Sequence, residues 1–338
     1  MDYVDFDQIK TGDIHEKLIK TIRGTITEKE FTSKSEKEKV ASVLADILCL
    51  GKESVYRRLR GDVRFSFEEV ALISRTLGFS IDNIVGVQNN EKAIFEINIA
   101  DTALANSNYN NRIEGYTKLI KAANKNVDSE LKCAFNNLPH LFYLQYENIS
   151  KFRLFKWIYQ IQKTHSIAFG NFVIDKETTN AQKKFISETR RIKRSSIIIG
   201  QDIFASIIKD INYFKKLSLL NDSDIENIRN ELLEILAEIE TISVSGTYNN
   251  QDSEVFLYLS NVGIDGSYEL LKSNGNPLAV FGLYGINGIS SEDENICKIN
   301  SYWIDSLKRY STLITFGGEI QKHIFFQQQR NLINSLHL

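Results

Sequence analysis

The chain has 338 residues, of which 42% are hydrophobic, 11% aromatic and 25% charged, so it can bury at least one large core and we expect two domains. This composition excludes an intrinsically disordered chain. The formal net charge is −2, so the overall charge gives no argument for a polyanionic partner.

The three cysteines, Cys49, Cys133 and Cys297, lie far apart and form no CxxC pair. Their spacing predicts neither a disulfide framework nor a zinc knuckle, and it fits a reducing compartment. Residues 1–7 lack the basic start and apolar run of a signal peptide, and no apolar run approaches the ~20 residues of a membrane span. We therefore expect a soluble, cytoplasmic protein with no membrane partner.

Two short helices joined by a tight turn are the first predicted elements. The apolar face of the first helix consists of Val40, Val43, Leu44, Ile47 and Leu48. The pattern breaks at residues 49–51, and a second amphipathic helix follows over residues 52–60 with Val55 and Leu59 inward. This arrangement is typical of a helix-turn-helix.

A polar stretch at residues 88–91, Gln-Asn-Asn-Glu, separates this helical pattern from an alternating segment, 93–99, that predicts a strand. We therefore predict a helix-turn-helix domain over residues 1–88 and a second domain over residues 91–338.

The second domain is predicted to be α+β. Helical spacing predicts helices over residues 111–124, 139–162, 222–242, 291–313 and 319–336. The aromatic residues of the second of these helices are expected in the core. Strands are predicted over 254–261, 268–272 and 278–284, joined as an antiparallel meander. The predicted fold class is mainly α, with an N-terminal helix-turn-helix module and a larger α+β domain that contains a short antiparallel sheet.

The outer face of the second short helix is basic. Residues 52–64 contain five basic and two acidic residues, which gives a local net charge of +3. Guanidinium groups can donate to guanine edges or phosphates, and hydroxyl groups can reach phosphate oxygens. The predicted DNA contacts are Lys52, Glu53, Ser54, Tyr56, Arg57, Arg58, Arg60 and Arg64.

The segment contains an ordered set of small and apolar residues at Leu44-Ala45, Leu50, Val55 and Gly61, continued by the runs 67–73 and 77–84. In this order the residues resemble the Cro/CI, or xenobiotic-response-element, type of DNA-binding domain. The resemblance implies that Ala45 lies where the two helices cross, that Val55 is the core position of the recognition helix, and that the chain is a transcriptional regulator of double-stranded DNA. Residues 56–61, Tyr-Arg-Arg-Leu-Arg-Gly, are also similar to the BetR-type branch.

Three residues depart from the pattern of that family. Cys49 stands where the turn most often has Gly, Phe65 stands where Pro commonly begins the fourth helix, and Arg58 occupies a usually apolar position. These departures leave two registers of the recognition helix open, with either Arg57 or Arg58 facing the bases.

Two other interpretations compete with DNA reading. In the first, the basic helix face is only a solvated surface. In the second, the chain is a protein-interaction adaptor that keeps the helix-turn-helix fold. If the chain reads DNA, we expect a homodimer formed through the apolar stripe of residues 222–242 and through the last helix, where Ile320, Ile324, Phe325, Leu332 and Leu336 accompany Gln327, Gln328 and Gln329. Burial within one domain is the other explanation for these residues. The second domain would then also respond to an unidentified small-molecule or protein effector.

The sequence predicts no catalytic, metal or cofactor site. The five histidines are scattered, with no HxxxH or HExxH spacing, and no GxSxG or kinase-like set is present. The basic cluster 190–194, Arg-Arg-Ile-Lys-Arg, is predicted to be a solvated helix face, with contact to a DNA backbone as the alternative.

Overall fold

A computed structural model of the chain describes residues 11–29, 36–85, 93–98, 105–161, 167–248, 252–273, 277–283 and 285–337. The chain divides into two compact units, Met1–Ile94 (the N-terminal unit) and Phe95–Leu338 (the C-terminal unit). The predicted boundary at residues 88–91 lies outside the described residues.

The described part of the N-terminal unit is helical. Its helices are α1 (Thr11–Lys29), α2 (Glu36–Leu48), α3 (Lys52–Arg60), α4 (Phe67–Leu77) and α5 (Ile81–Val85). The helices share one small core of buried apolar side chains, which includes Ile22, Leu44, Val55, Ile73 and Ile84. In α1 the core residues Leu18, Ile22 and Ile26 recur every four positions, which places them on one face.

The C-terminal unit contains a helical layer and a smaller helical cover on opposite faces of a sheet. Its helices are α6 (Ala105–Ala123), α7 (His140–Tyr143), α8 (Glu147–Ile161), α9 (Lys176–Thr189), α10 (Ala205–Lys216), α11 (Asp222–Ser245), α12 (Glu294–Arg309) and α13 (Glu319–Asn334). Its strands are β1 (Glu96–Asn98), β2 (Glu130–Phe135), β3 (Arg194–Ile199), β4 (Glu254–Ser260), β5 (Ser267–Lys272), β6 (Leu278–Leu283), β7 (Asn287–Ser291) and β8 (Ser311–Leu313).

These strands form one eight-stranded sheet in the order β1-β7-β6-β5-β2-β3-β4-β8. The neighbours β2, β3 and β4 run parallel, and every other pair is antiparallel. The prediction of a mainly α fold with a short antiparallel sheet is therefore wrong. The predicted meander of β4, β5 and β6 is wrong as well, because β4 pairs with β3 and β8 and not with β5. The antiparallel meander consists of β5, β6 and β7.

Burial on both faces explains why the sequence pattern did not reveal the central strands. In β2 and β3 every residue after the first is buried. A strand covered on both faces has no polar alternation, and a short apolar run of this kind cannot be distinguished from a helix by periodicity. The helix predicted over 291–313 is wrong at its end, since α12 ends at Arg309 and residues 311–313 form the edge strand β8.

Each face of the sheet has its own core. Leu131, Cys133 and Phe135 of β2 pack into the large cluster that α6 to α11 and α13 share. Ala134 and Leu270 lie on the other face, against residues of α12. The aromatic stretch predicted as one helix over 139–162 forms two helices, α7 and α8, and its expected place in the core is confirmed for Phe142, Phe152, Phe155 and Trp157. The stripe of α11 is buried in the same cluster.

Candidate nucleic-acid interface

A three-residue turn joins α2 to α3. Cys49 follows α2 with φ +53°, in the left-handed region that glycine adopts without strain. The Leu50 N–H donates to the Ala45 carbonyl oxygen at 3.1 Å, and Gly51 is the N-cap of α3. This left-handed conformation explains why glycine most often occupies the position of Cys49 in the family that the segment resembles.

The inner side of α3 is fixed by Val55, whose side chain is completely buried. Leu59 and Tyr56 are partly buried and pack against the same core, and Ala45 of α2 packs there too. Gly61 ends the helix with φ +82°, and its N–H donates to the Arg58 carbonyl oxygen at 3.0 Å. The short helix is therefore anchored along one side and at its end.

The predicted contact residues fall into two groups. Five are exposed: Lys52, Glu53, Arg57, Arg60 and Arg64. Three are partly buried: Ser54, Tyr56 and Arg58. The exposed residues of α3 therefore lie on one side of the helix, and the side chains of the other three lie partly covered by the protein.

Arg58 is turned toward α4. Its Nη2 lies 2.8 Å from Glu69 Oε1 and its Nε lies 3.0 Å from Oε2, a bidentate pair. Its Nη1 also donates to the Ser54 carbonyl oxygen at 3.3 Å. Burial alone would raise the pKa of Glu69, but the Arg58 side chain and the Ser66 N–H hold that pKa below its ordinary value. The pair explains how a charged residue occupies a position that is usually apolar.

Arg57 and Arg60 differ in their surroundings. Arg60 is exposed and forms ion pairs with Asp62 at 2.9 Å and with Glu53 at 3.6 Å. Arg57 is exposed, and within the described residues its side chain makes no hydrogen bond or ion pair. Arg57 is therefore the α3 arginine whose donors are available to an outside acceptor.

The start of α4 lies after Phe65, the second departure from the family pattern. Ser66 caps α4, since its side chain accepts from the Glu69 N–H and Glu69 in turn accepts from the Ser66 N–H. Phe65 is partly buried and stacks on His15 at a centroid distance of 6.4 Å. The capping box supplies the helix start that proline would otherwise favour.

The basic cluster 190–194 is not a solvated helix face. α9 ends at Thr189, and Arg190 is buried in an ion pair with Glu238. Arg194 begins β3 and pairs with Glu254 at 3.2 Å. Arg190 cannot take part in the alternative, a contact to a DNA backbone, because its buried guanidinium is paired inside the C-terminal unit.

One group of ionisable side chains inside the C-terminal unit was not predicted from the sequence. Arg112, His140, Arg153 and Glu269 line one cavity there. They come from three helices and a strand that are distant in the sequence, so no local motif could have grouped them.

No group of three or more potential metal ligands occurs among the described residues. Within the same ranges, no helix combines the length and apolar character needed to cross a membrane. Comparisons with protein-family models, with curated proteins and with solved structures gave no match to this chain.

Proposed function

We propose that the chain is a cytoplasmic transcriptional regulator that reads a short DNA operator with α3. The observation that carries this proposal is the division of α3 into two sides. Completely buried Val55 fixes the inner side, while Lys52 and Arg57 are exposed on the outer side after a three-residue turn. A short amphipathic helix held in this way fits the major groove.

The exposed side chains have distinct roles in this proposal. Arg57 donates its planar fork to a base edge, with guanine as the preferred acceptor. Lys52 and Arg64 contact phosphates, which position the helix without reading sequence. Arg60 contacts a phosphate after exchanging its exposed partners, Asp62 and Glu53. Arg58 is a positioning residue, because Glu69 holds its guanidinium against α4.

We propose that the regulator acts as a homodimer, because a single small module buries little DNA surface and two linked modules gain affinity without new contacts. The stripe of α11 lies in the core of its own unit, as do Phe325 and Leu336 of the predicted last helix, so these residues are not part of this surface. The surface is instead the exposed side of α13, where Ile320 and Ile324 are 72% and 46% exposed. Gln327 and Gln328 are also exposed, one helical turn after Ile324, so the proposed subunit contact combines apolar and polar side chains.

The experiment that tests DNA reading is selection of bound fragments from a random pool by the full chain, followed by affinity measurement at several salt concentrations. A DNA reader enriches one sequence, and the logarithm of its affinity falls linearly with the logarithm of salt because phosphate contacts release counterions. A pool without enrichment, and affinity that does not change with salt, would contradict the proposal.

The alternative is a protein-interaction adaptor that keeps the helix-turn-helix fold. It is favoured by exposed apolar residues of the N-terminal unit, since Phe67, Leu72 and Val85 are 74%, 45% and 50% exposed. Such an adaptor would bind its partner through apolar area and would show weak salt dependence. An adaptor would enrich no DNA sequence in the selection and would show no salt-dependent DNA affinity from counterion release, so the same experiment separates the two functions.

A further inference from the structure

The C-terminal unit contains a cavity of about 410 Å³ between its sheet and its helical layer. Residues of β2, β5, β6 and β7 line one side, and residues of α6, α7, α8 and α9 line the other. The cavity extends past the carboxyl end of β2, where Asn136 and Asn137 leave the sheet. Its volume suits one small molecule, and the region beyond the carboxyl ends of parallel strands is where α/β proteins bind ligands.

The lining is largely apolar and aromatic. Its rings and aliphatic side chains include Tyr109, Tyr116, Phe135, Tyr143, Phe185 and Leu131. Tyrosine and phenylalanine favour an apolar body of ring size, because edge-to-face contacts add to the burial of apolar area. The interior is therefore suited to the carbon skeleton of a ligand and not to an ion alone.

Two guanidinium groups line the same cavity. Arg112 Nη2 donates to the Ile286 carbonyl oxygen at 2.7 Å and Nη1 donates to Asn287 Oδ1 at 3.1 Å, which hold the group in place. Arg153 lies over the ring of Tyr143, with Cζ 5.3 Å from the centroid. The Arg153 side chain makes no hydrogen bond or ion pair with any residue that the structure describes. Its donors are therefore available to an acceptor in the cavity.

One acidic side chain faces these cations. Glu269 lies opposite Cys133 in the register of β5 on β2, with Oε2 3.6 Å from His140 Nε2. Burial raises the pKa of Glu269, and the charge of His140 opposes that rise only in part. Lys156 also lines the cavity, and it is already paired with Asp210. The cavity thus has an excess of positive charge from Arg112 and Arg153.

We propose that this cavity binds a small monocarboxylate with an apolar, ring-sized body. The carboxylate accepts from Arg153, in the bidentate geometry that a guanidinium prefers, with Arg112 as the second positive charge. The apolar body fills the aromatic lining. A monoanion fits better than a dianion, because Glu269 adds a negative charge to the site when it ionises. The proposal concerns the C-terminal unit alone and is independent of DNA binding.

The test compares three probes on one carbon skeleton by titration calorimetry with the full chain. The probes are 3-phenylpropionate, 3-phenyl-1-propanol and 3-phenylpropylamine. We expect the acid to bind about tenfold or more tightly than the alcohol, because a charge-assisted hydrogen bond is lost in the alcohol, and the amine to bind most weakly. Equal binding of acid and alcohol, tighter binding of the amine, or no binding of the acid at millimolar concentration would each overturn the proposal.

Variants of Arg153 test whether its guanidinium binds the carboxylate. Arg153→Gln is expected to weaken binding of 3-phenylpropionate about tenfold or more and to leave binding of the alcohol unchanged. Arg153→Lys keeps the charge and is expected to retain part of the affinity for the acid. Arg194→Gln makes the same chemical change at an exposed position outside the cavity, and it is expected to change nothing. Wild-type affinity of Arg153→Gln for the acid, in a variant that melts like the parent, would contradict the role of Arg153.

Discussion

Arg58 and Glu69 join α3 to α4 through two hydrogen bonds of 2.8 and 3.0 Å, and each side chain is only about a fifth exposed, at 18% and 20%. A bidentate pair with this burial fixes the rotation of α3 about its own axis. The rotation that it fixes leaves Arg57 exposed. The pair is therefore the physical basis for choosing Arg57 over Arg58 as the base-reading residue in the proposed function.

Glu69→Gln is expected to destabilise the N-terminal unit by about 1–3 kcal/mol at pH 7, because Arg58 loses its charged partner while partly buried. The folded-state pKa of Glu69 is lowered, so its contribution is present above the ordinary Glu pKa and is lost as pH falls through the folded value. Hydrogen exchange of peptides within residues 36–77 measures this loss. Glu53→Gln, at a position 80% exposed, is the control and is expected to leave exchange unchanged. Equal exchange in both variants would contradict a stabilising pair.

Val55→Asp is expected to unfold the N-terminal unit, since a carboxylate cannot be solvated at a completely buried position and the cost is about 3 kcal/mol or more. Ala45→Glu acts at the same helix contact. Amide exchange over residues 36–77 gives the readout. Val85→Asp is the matched control because Val85 is 50% exposed. Protection in Val55→Asp equal to that of Val85→Asp would mean that α3 is anchored elsewhere.

The double variant Ile320→Asp with Ile324→Asp is expected to convert a dimer to monomer, because two carboxylates would be buried without partners in the contact between subunits. Analytical ultracentrifugation of the full chain gives the molecular mass. Val173→Asp, at a position 78% exposed and outside α13, is the control and is expected to stay dimeric. A wild-type chain that is monomeric at tens of micromolar would refute the dimer.

Glu269→Gln is expected to raise the Tm of the C-terminal unit at pH 7.5. Burial raises the pKa of Glu269 in the folded state, so this group costs stability as pH rises above its ordinary value, and the amide removes that cost. The gain shrinks as pH falls toward the ordinary Glu range. Tryptophan fluorescence reports this unit, which contains Trp157 and Trp303. A Tm difference that does not change with pH would show that Glu269 does not titrate in this way.

Local pattern was sufficient for parts of the fold. The spacing of three and four in α11 and the aromatic residues of α8 predicted helices that the structure contains. The turn before α3 was predicted from the break at residues 49–51, and Cys49 has the left-handed φ that such a turn uses. These features depend on neighbours in sequence, so periodicity and turn chemistry detect them.

The pairing of strands and side chains that are distant in the chain could not be predicted from the sequence. β2 and β3 are buried on both faces and have no alternation, and β5 lies beside β2 although some 130 residues separate them. The pair Arg58–Glu69 spans eleven residues across two helices, and no spacing rule predicts it. For the same reason, the sequence could not decide between Arg57 and Arg58, and it did not reveal the cavity lined by Arg112 and Arg153.

Fluorescence anisotropy with the operator obtained by selection, at fixed salt, tests the central claim most directly. Arg57→Gln is expected to weaken binding by about 1–3 kcal/mol and to relax preference at one base pair. Arg75→Gln makes the same change at an exposed position of α4, and it is expected to bind like the wild type. Arg57→Gln binding as tightly and as selectively as Arg75→Gln would contradict the assignment of α3 as the reading helix.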